Sequence, residues 1–281
     1  AVVKANAYGH GAIQVARAAI RGGASWFGVA RIEEALEMRE GSLDAPILVL
    51  GFTSPGRLDE AIAGRISLAV WNYYQVERIG GAASRIGTAA RVHLKIDTGM
   101  SRLGIQPGEA LALAEKIARH PTLEFEGIFT HFARADETDP VPNIAQENQF
   151  NQVIGTLALQ GIEPRLVHAA NSAASLARPN ARFRLVRTGI AMYGLHPSKN
   201  WRLAEVFQPA LAWKTLLTQV KTLPPGRGVS YGHEYTTNAF EHIGTVPVGY
   251  ADGIRRQPGN LVLVGGKKVP VVGRVSMDQI T

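Results

Sequence analysis

Cysteine is absent from all 281 residues. That excludes a disulfide framework, a thiolate metal site and a cysteine nucleophile. Long apolar runs are lacking as well. None approaches the roughly 18 residues that a membrane-spanning helix requires, and no leader-like segment precedes the first strand-like run. Blocks of like charge are also missing. The formal net charge of +7 comes from 30 Lys and Arg against 23 Asp and Glu, dispersed along the chain without interleaved aromatics. A nucleic-acid binder, supported by charge alone, therefore ranks last. No G-x-G-x-x-G fingerprint marks an open dinucleotide-binding sheet. What is present, 46% hydrophobic and 19% charged residues, is the composition of a globular protein with a sizeable core. These features fit a cytoplasmic protein that uses neither membrane nor nucleic acid.

Short β-branched runs recur at residues 1–4, 26–30, 47–51, 67–71, 91–97, 126–132, 165–170 and 185–193. Stretches rich in Ala, Leu, Glu and Arg separate them, at 11–21, 32–40, 75–85, 108–119 and 145–159, several with apolar residues at helical spacing. Alternating β and α units predict a parallel sheet, and eight of them predict a closed (β/α)8 TIM-type barrel. Composition changes near residues 200–209. Beyond it the runs 210–220, 242–248, 261–264 and 268–275 are strand-like, with Pro-Pro-Gly and Gly-Gly turns between them. The expected organisation is a barrel over residues 1–205 and a smaller all-β domain over 206–281.

In such a barrel, chemistry sits where strands end. Polar residues at those ends are Lys4, Lys95 with Asp97, His131, His168 with Asn171 and Ser172, and Arg187 with Gly189. Each has a plain alternative singly: a solvated strand-end lysine, a satisfied structural histidine, a helix cap at Ser172. Jointly they predict one pocket mouth holding a lysine, two imidazoles and an arginine. A lysine desolvated there has a lowered pKa and can form a Schiff base. The last two loops, 168–174 and 186–190, fall where a barrel of this type binds phosphate.

The opening string, Ala-Val-Val-Lys-Ala-Asn-Ala-Tyr-Gly-His-Gly, resembles the pyridoxal-phosphate lysine segment of alanine racemases, and the resemblance extends over nearly the whole chain. It implies that Lys4 holds the cofactor, and that Tyr8, Asn171, Ser172, Gly189 and Ile190 contact its phosphate. Residues 95–104 (Lys-Ile-Asp-Thr-Gly-Met-Ser-Arg-Leu-Gly) resemble the family's arginine loop. Arg102 is then implied to touch the phenolic oxygen and the substrate carboxylate, and Lys95 to be a carbamylated lysine that orients it. Thr130-His131-Phe132-Ala133 resembles the segment whose histidine packs near the pyridine ring. His168 corresponds to the residue supporting Arg187, which is implied to face the pyridine nitrogen. Gly228-Val229-Ser230-Tyr231-Gly232 resembles the segment bearing a second catalytic base, Tyr231. Residues 249–253 and 274–278 resemble segments lining substrate entry and the carboxylate site, with Tyr250 and Met277.

The resemblance thus implies interconversion of L- and D-alanine for peptidoglycan on pyridoxal 5′-phosphate, with Lys4 and Tyr231 as bases on opposite faces. It also implies a homodimer in which Tyr231 comes from the partner subunit. Three further readings share part of this pattern: a broad-specificity or serine racemase, a decarboxylase of similar architecture, and a non-catalytic pyridoxal-phosphate carrier. Arg187 argues against the decarboxylase and Tyr231 against the carrier. The chain opens at Ala1 inside a strand-like run and stops inside another at Asp278-Gln279-Ile280-Thr281, so both ends of the natural polypeptide are expected to be missing. That includes a C-terminal phosphate-contacting tyrosine found in the family.

Overall fold

Six short strands, largely buried on both faces and so in need of helical cover, determine the first half of the architecture. In the computed structural model, which describes residues 1–199 and 201–281, these strands are β1 Phe27–Val29, β2 Ile47–Val49, β3 Ser67–Val70, β4 Ala90–Lys95, β5 Leu123–Phe129 and β6 Leu166–His168. They form one parallel sheet in sequence order, β1-β2-β3-β4-β5-β6. Asn200, where the compositional change begins, lies outside the described residues. The chain divides into two compact units, Ala1–Leu211 and Ala212–Thr281.

Around the sheet of the first unit run α1 Lys4–Tyr8, α2 Ala12–Arg21, α3 Ile32–Glu40, α4 Leu58–Ala63, α5 Tyr73–Ile86, α6 Ala110–Ala118, α7 Val141–Leu159 and α8 Ser172–Ala177. Helical spacing in the sequence locates five of these to within a few residues. Local signals set their ends. Asn72 caps α5 by accepting the Gln75 N–H at 2.9 Å, and Gly87 closes it with a left-handed φ of 72°. Inward faces meet in one continuous core that includes Phe27, Met38, Leu94, Ile117 and Phe150. No helix among the described residues is long and apolar enough to cross a membrane.

Two of the eight expected strands are not strands, so the sheet has six. At residues 1–4, Val2 makes a single parallel bridge to Gly28, after which the chain leaves the sheet. Ala5, Asn6, Ala7 and Tyr8 all take left-handed φ values of 52–56°, so α1 is a left-handed turn. At residues 185–193 the backbone touches its neighbours only singly. Arg187 N–H donates to Ala170 O at 2.9 Å and Val2 N–H to Thr188 O at 2.8 Å, before a 3-10 turn begins at Ile190. Gly189, with ψ of −96°, breaks the extended run. Sequence periodicity cannot separate a strand from one or two isolated backbone hydrogen bonds, since both bury the same alternating apolar residues.

The second unit contains no α-helix among its described residues. Its antiparallel pairs are β7 Gln219–Leu223 with β10 Glu241–Thr245, β8 Gly228–Val229 with β9 Tyr235–Thr236, and β11 Leu261–Val264 with β12 Lys267–Pro270. The last pair turns through Gly265-Gly266, as the Gly-Gly signal predicts. The run expected over 210–220 is extended strand only from Gln219. A small cluster of Val246, Val248, Val275 and Ile280 forms this unit's core.

Phe150 is fully buried in α7, with its ring 5.6 Å from that of Phe183. Phe150→Ala is expected to destabilise the first unit by about 3–5 kcal/mol. In a thermal melt this reads as a fall of about 2–4 °C in Tm per kcal/mol; an unchanged melt contradicts the packing.

Candidate active site

The ends of β5 and β6, the turn after Val3 and the segment 186–190 all open onto one cavity of about 260 Å³. Lys4, Tyr8, His131, Asn171, Ser172, Arg187, Gly189 and Ile190 line it, so eight of the residues singled out from the sequence converge there. Lys4 stands exposed at the mouth. The turn that carries it is tied down by Glu34 of α3, whose carboxylate accepts the N–H groups of Ala5 at 2.5 Å, Ala30 at 2.7 Å and Arg31 at 3.0 Å. The sequence reading missed Glu34; its signal was an acid in the first turn of a helix following a strand.

Arg187 is buried and surrounded by acceptors. One terminal nitrogen donates to His168 Nδ1 at 2.7 Å. The other donates to Thr130 O at 2.8 Å and Ala169 O at 2.9 Å, and lies 3.1 Å from His131 Nδ1. Its Nε–H has no protein partner among the described residues, and Arg187 faces the cavity. Burial lowers its pKa to about 9, which still leaves a cation at neutral pH. His131 is pushed down to about 3 by burial first, and then by the charges of Arg187, Lys95, Arg102 and Lys4. It is therefore neutral in the pH range of most enzymes.

A second set of groups suits an anion. Ser172 Oγ accepts the N–H of Gly189 at 2.9 Å and of Ala191 at 3.3 Å. Asn171 caps α8 through the Ala174 N–H at 3.0 Å. Among the described residues the N–H groups of Ser172, Ala173 and Ile190 have no protein acceptor. A Cβ built on Gly189 would fall 2.4 Å from Tyr8 Oη, so only glycine lets the backbone and the phenol close together here. Tyr8 in turn packs on Tyr193 at 4.7 Å between ring centroids, and Tyr193 stacks on His10 at 4.7 Å. Tyr193, read from the sequence as part of an eighth strand, is instead a buried post under Tyr8, with its hydroxyl donating to Val2 O at 3.2 Å. Amine, guanidinium, neutral imidazole and free amide N–H groups fit a ring-bearing anionic group with an electrophilic carbonyl.

The remaining candidates lie elsewhere. Lys95 ends β4 and is buried, its ammonium 5.4 Å from the centroid of the Phe129 ring. Arg102 is exposed on the loop that follows. His168 is fully buried behind Arg187 and is held well below its usual pKa by burial and then by the Arg187 charge. Tyr231, Tyr250 and Met277 belong to the second unit and are 68%, 41% and 53% exposed. Tyr231 lines that unit's own open concavity, about 820 Å³, with Lys221, Ser230, His233 and Arg274. His233 and Arg274 of this larger space are exposed, whereas the cation lining the smaller cavity, Arg187, is buried. Tyr250 and Met277 sit on paired turns, where Tyr250 N–H donates to Ser276 O and Ala251 N–H to Met277 O, both at 3.0 Å.

Lys95 titrates far from the usual lysine range. Its pKa falls from 10.5 to about 8, through burial first and the charges of Arg102 and Arg187 next. Between those two values the unfolded chain binds a proton that the folded chain does not, so stability rises with pH across the window. Wild type is expected to gain stability relative to Lys95→Met as pH increases from about 8 to 10.5, measured by denaturant unfolding. Parallel pH profiles would contradict the assignment.

Residues 1–197 match the family profile described as alanine racemase, N-terminal domain, and residues 210–281 match the alanine racemase, C-terminal domain. The alanine racemase of Symbiobacterium thermophilum is 45% identical over 282 residues, covering 100% of this chain and 75% of that protein. That of Geobacillus stearothermophilus is 46% identical over 283 residues, covering 99% of this chain and 72% of its own. Among solved structures, the alanine racemase of Streptomyces coelicolor A3(2) superposes with a TM-score of 0.92 at 42% identity, covering 100% of this chain and 76% of that one. A Clostridium difficile 630 alanine racemase in complex with cycloserine gives 0.89 at 35% identity, covering 99% and 73%.

Proposed function

The chain belongs to the alanine racemase family, and on that premise we propose that it interconverts L- and D-alanine with pyridoxal 5′-phosphate as cofactor and Lys4 and Tyr231 as its two bases. The observation that carries this reading is the convergence of Lys4, Arg187, His131 and the free N–H groups of residues 172, 173 and 190 on one cavity. When bound, the cofactor supplies an electron sink for the carbanion formed as the α-proton leaves. Lys4 would hold it through Nζ, and Tyr8, Asn171, Ser172, Gly189 and Ile190 would hold its phosphate.

The protein's own groups do the rest. Lys4 Nζ, freed at the cavity mouth, takes or returns the α-proton on one face. Tyr231 Oη serves the opposite face, since one group rarely reaches both sides of a planar centre. A phenol has an ordinary pKa of about 10, so it needs neighbouring cations to act as a base near neutrality. Arg102 is the proposed carboxylate partner, oriented by Lys95 once carbamylation makes that side chain an anion, and Tyr250 and Met277 are assigned to the substrate's entry path. Arg187 presents a donor that does not readily yield its proton. Toward a ring nitrogen it would leave that atom unprotonated and so favour racemisation over side reactions. His168 supports it from behind.

This reading includes a homodimer in which Tyr231 serves the partner's cavity, a two-fold arrangement common among enzymes. It also takes the fold to be a (β/α)8-type barrel over residues 1–205 with a β domain over 206–281. The single hydrogen bonds from Arg187 to Ala170 and from Val2 to Thr188 support closure through the two irregular segments. Production of D-alanine for peptidoglycan in the cytoplasm is the proposed role.

Borohydride reduction of the chain loaded with pyridoxal phosphate, followed by peptide mapping, is expected to leave a pyridoxyl mass on Lys4, and none in Lys4→Ala. Tyr231→Phe is expected to keep that mass while lowering L-to-D turnover by about a hundred- to ten-thousand-fold, the usual contribution of a positioned acid or base. Label on another lysine overturns the assignment of Lys4, and full turnover in Tyr231→Phe overturns the two-base reading.

A further inference from the structure

His168 does not end the line of contacts behind Arg187. Its Nε2 lies 2.9 Å from Nδ1 of His93, and His93 Nε2 lies 3.0 Å from Oε2 of Glu126. That same Oε2 accepts the Ser67 hydroxyl at 2.5 Å, and Oε1 accepts an Arg165 N–H at 3.0 Å. His168, His93, Glu126 and Ser67 are all buried, whereas Arg165 is exposed. The line therefore runs from the cavity through the sheet interior to a surface arginine.

Donor and acceptor chemistry gives this line one direction. A guanidinium only donates, so His168 Nδ1 accepts and its proton sits on Nε2. That N–H donates to His93 Nδ1, which places the His93 proton on Nε2, pointing at Glu126. An ionised carboxylate only accepts, and it closes the sequence. Burial holds His93 below its ordinary pKa, against the opposing pull of Glu126. Burial raises the Glu126 carboxyl most, but its hydrogen bonds from His93 and Ser67, together with nearby positive charge such as Arg91, leave it lowered. Both directions match neutral imidazoles ending on an anion.

The sheet is bent to make this possible. Val92 of β4 pairs with Phe125 of β5, but His93 pairs with Gly127, and Glu126 is the extra residue of a bulge. Such an insertion re-aims a side chain, here into the interior. A Cβ at Gly127 would lie 2.4 Å from His93 Nδ1, so the glycine makes room for the ring. Phe129 stacks on His168 at 4.7 Å and 3°, and Trp26 meets the His93 ring edgewise at 5.8 Å. Apolar side chains would fill this space without burying a carboxylate, which is costly unless paired.

We propose that Glu126 is a positioning residue for the reaction: through His93 and His168 it fixes both imidazoles in one tautomer, balances the buried charge of Arg187 and keeps that guanidinium aimed into the cavity. The proposal rests on the reading above in that Arg187 meets the cofactor's ring. Arg187 and Glu126 set the same tautomers from opposite ends of the line. Without the carboxylate, the buried Nε2–H of His93 has no acceptor, and reversing both imidazoles relieves it only by setting a His168 N–H against the Arg187 N–H groups, donor against donor, which turns the guanidinium away.

The test combines ring-nitrogen NMR of the full chain labelled with ¹⁵N-histidine and titration with pyridoxal phosphate. In the wild type near neutral pH, His93 and His168 are expected to be neutral with the proton on Nε2. Glu126→Leu is expected to abolish that pattern at His168 and weaken pyridoxal phosphate binding about ten-fold, the lower end of what outer partners contribute at liganded imidazoles. Arg165→Met removes only the exposed ion pair and is expected to change neither. A wild-type His168 protonated on Nδ1 overturns the proposal. So does a folded Glu126→Leu with unchanged tautomers and affinity, or an equal loss in Arg165→Met. Should Glu126→Leu fail to fold, the wild-type tautomers and the Arg165→Met titration decide. A wild type that shows these tautomers yet binds no pyridoxal phosphate overturns the cofactor reading and supports the relay.

Discussion

A guanidinium taken out of water must have its N–H groups met by acceptors, and the ends of β5 and β6 are arranged around that demand at Arg187. Thr130 and Ala169 offer backbone oxygens from the residues just past those strands, and His168 and His131 offer ring nitrogens. Leaving such a donor unmet in the interior would be heavily destabilising. The orientations of two imidazoles and two strand ends are therefore coupled to one side chain. What remains unmet by protein, Nε–H and the second N–H of the nitrogen that donates to His168, is oriented by the same constraint. The cavity's character follows: a fixed cation at its base, imidazoles kept neutral beside it, and an amine at its mouth.

The same site is held from a second direction by backbone geometry. The left-handed turn over Ala5–Tyr8 presents Lys4 outward and Tyr8 inward, and such a turn is unfavourable for non-glycine residues. Glu34 gathers three N–H groups around it, and Tyr193 buttresses Tyr8 from below. Strain at a pocket mouth, stabilised by a carboxylate on a neighbouring helix, gives this loop the rigidity that the role proposed for the Lys4 amine demands.

Much of this was legible in the sequence, and the gaps have physical causes. Helices such as α3 and α5 announce themselves by spacing and caps, and strands such as β3 and β6 by apolar runs. The ends of β5 and β6, where His131 and His168 stand, follow from the alternation of β and α units; Lys4 and Arg187 reach the same cavity from segments expected as strands that are irregular. Residues 1–4 and 185–193 misled because an apolar run that makes one or two backbone hydrogen bonds is patterned like one that makes four. Glu126 and His93 escaped notice because each sits inside a strand, where a lone polar residue reads as a solvent-facing one. Only the bulge at Val92/His93 turns Glu126 inward, and a register shift has no local signature in a single chain. The Leu-Glu-Phe-Glu-Gly-Ile-Phe run of β5 carried a hint in its glycine, placed directly after the acid.

Proton transfer on both faces of the substrate is the central claim, and isotope exchange tests it most directly. L-Alanine is incubated in D2O with the chain loaded with pyridoxal phosphate, and the enantiomers are resolved by chiral chromatography with mass detection at early turnover. D-Alanine carrying deuterium at its α-carbon, beside residual L-alanine that is still largely protonated there, is the predicted result: one base removes hydrogen and a different one delivers solvent deuterium. Equal early deuteration of both enantiomers would contradict separate bases, and deuterated L-alanine with no D-alanine would contradict racemisation itself.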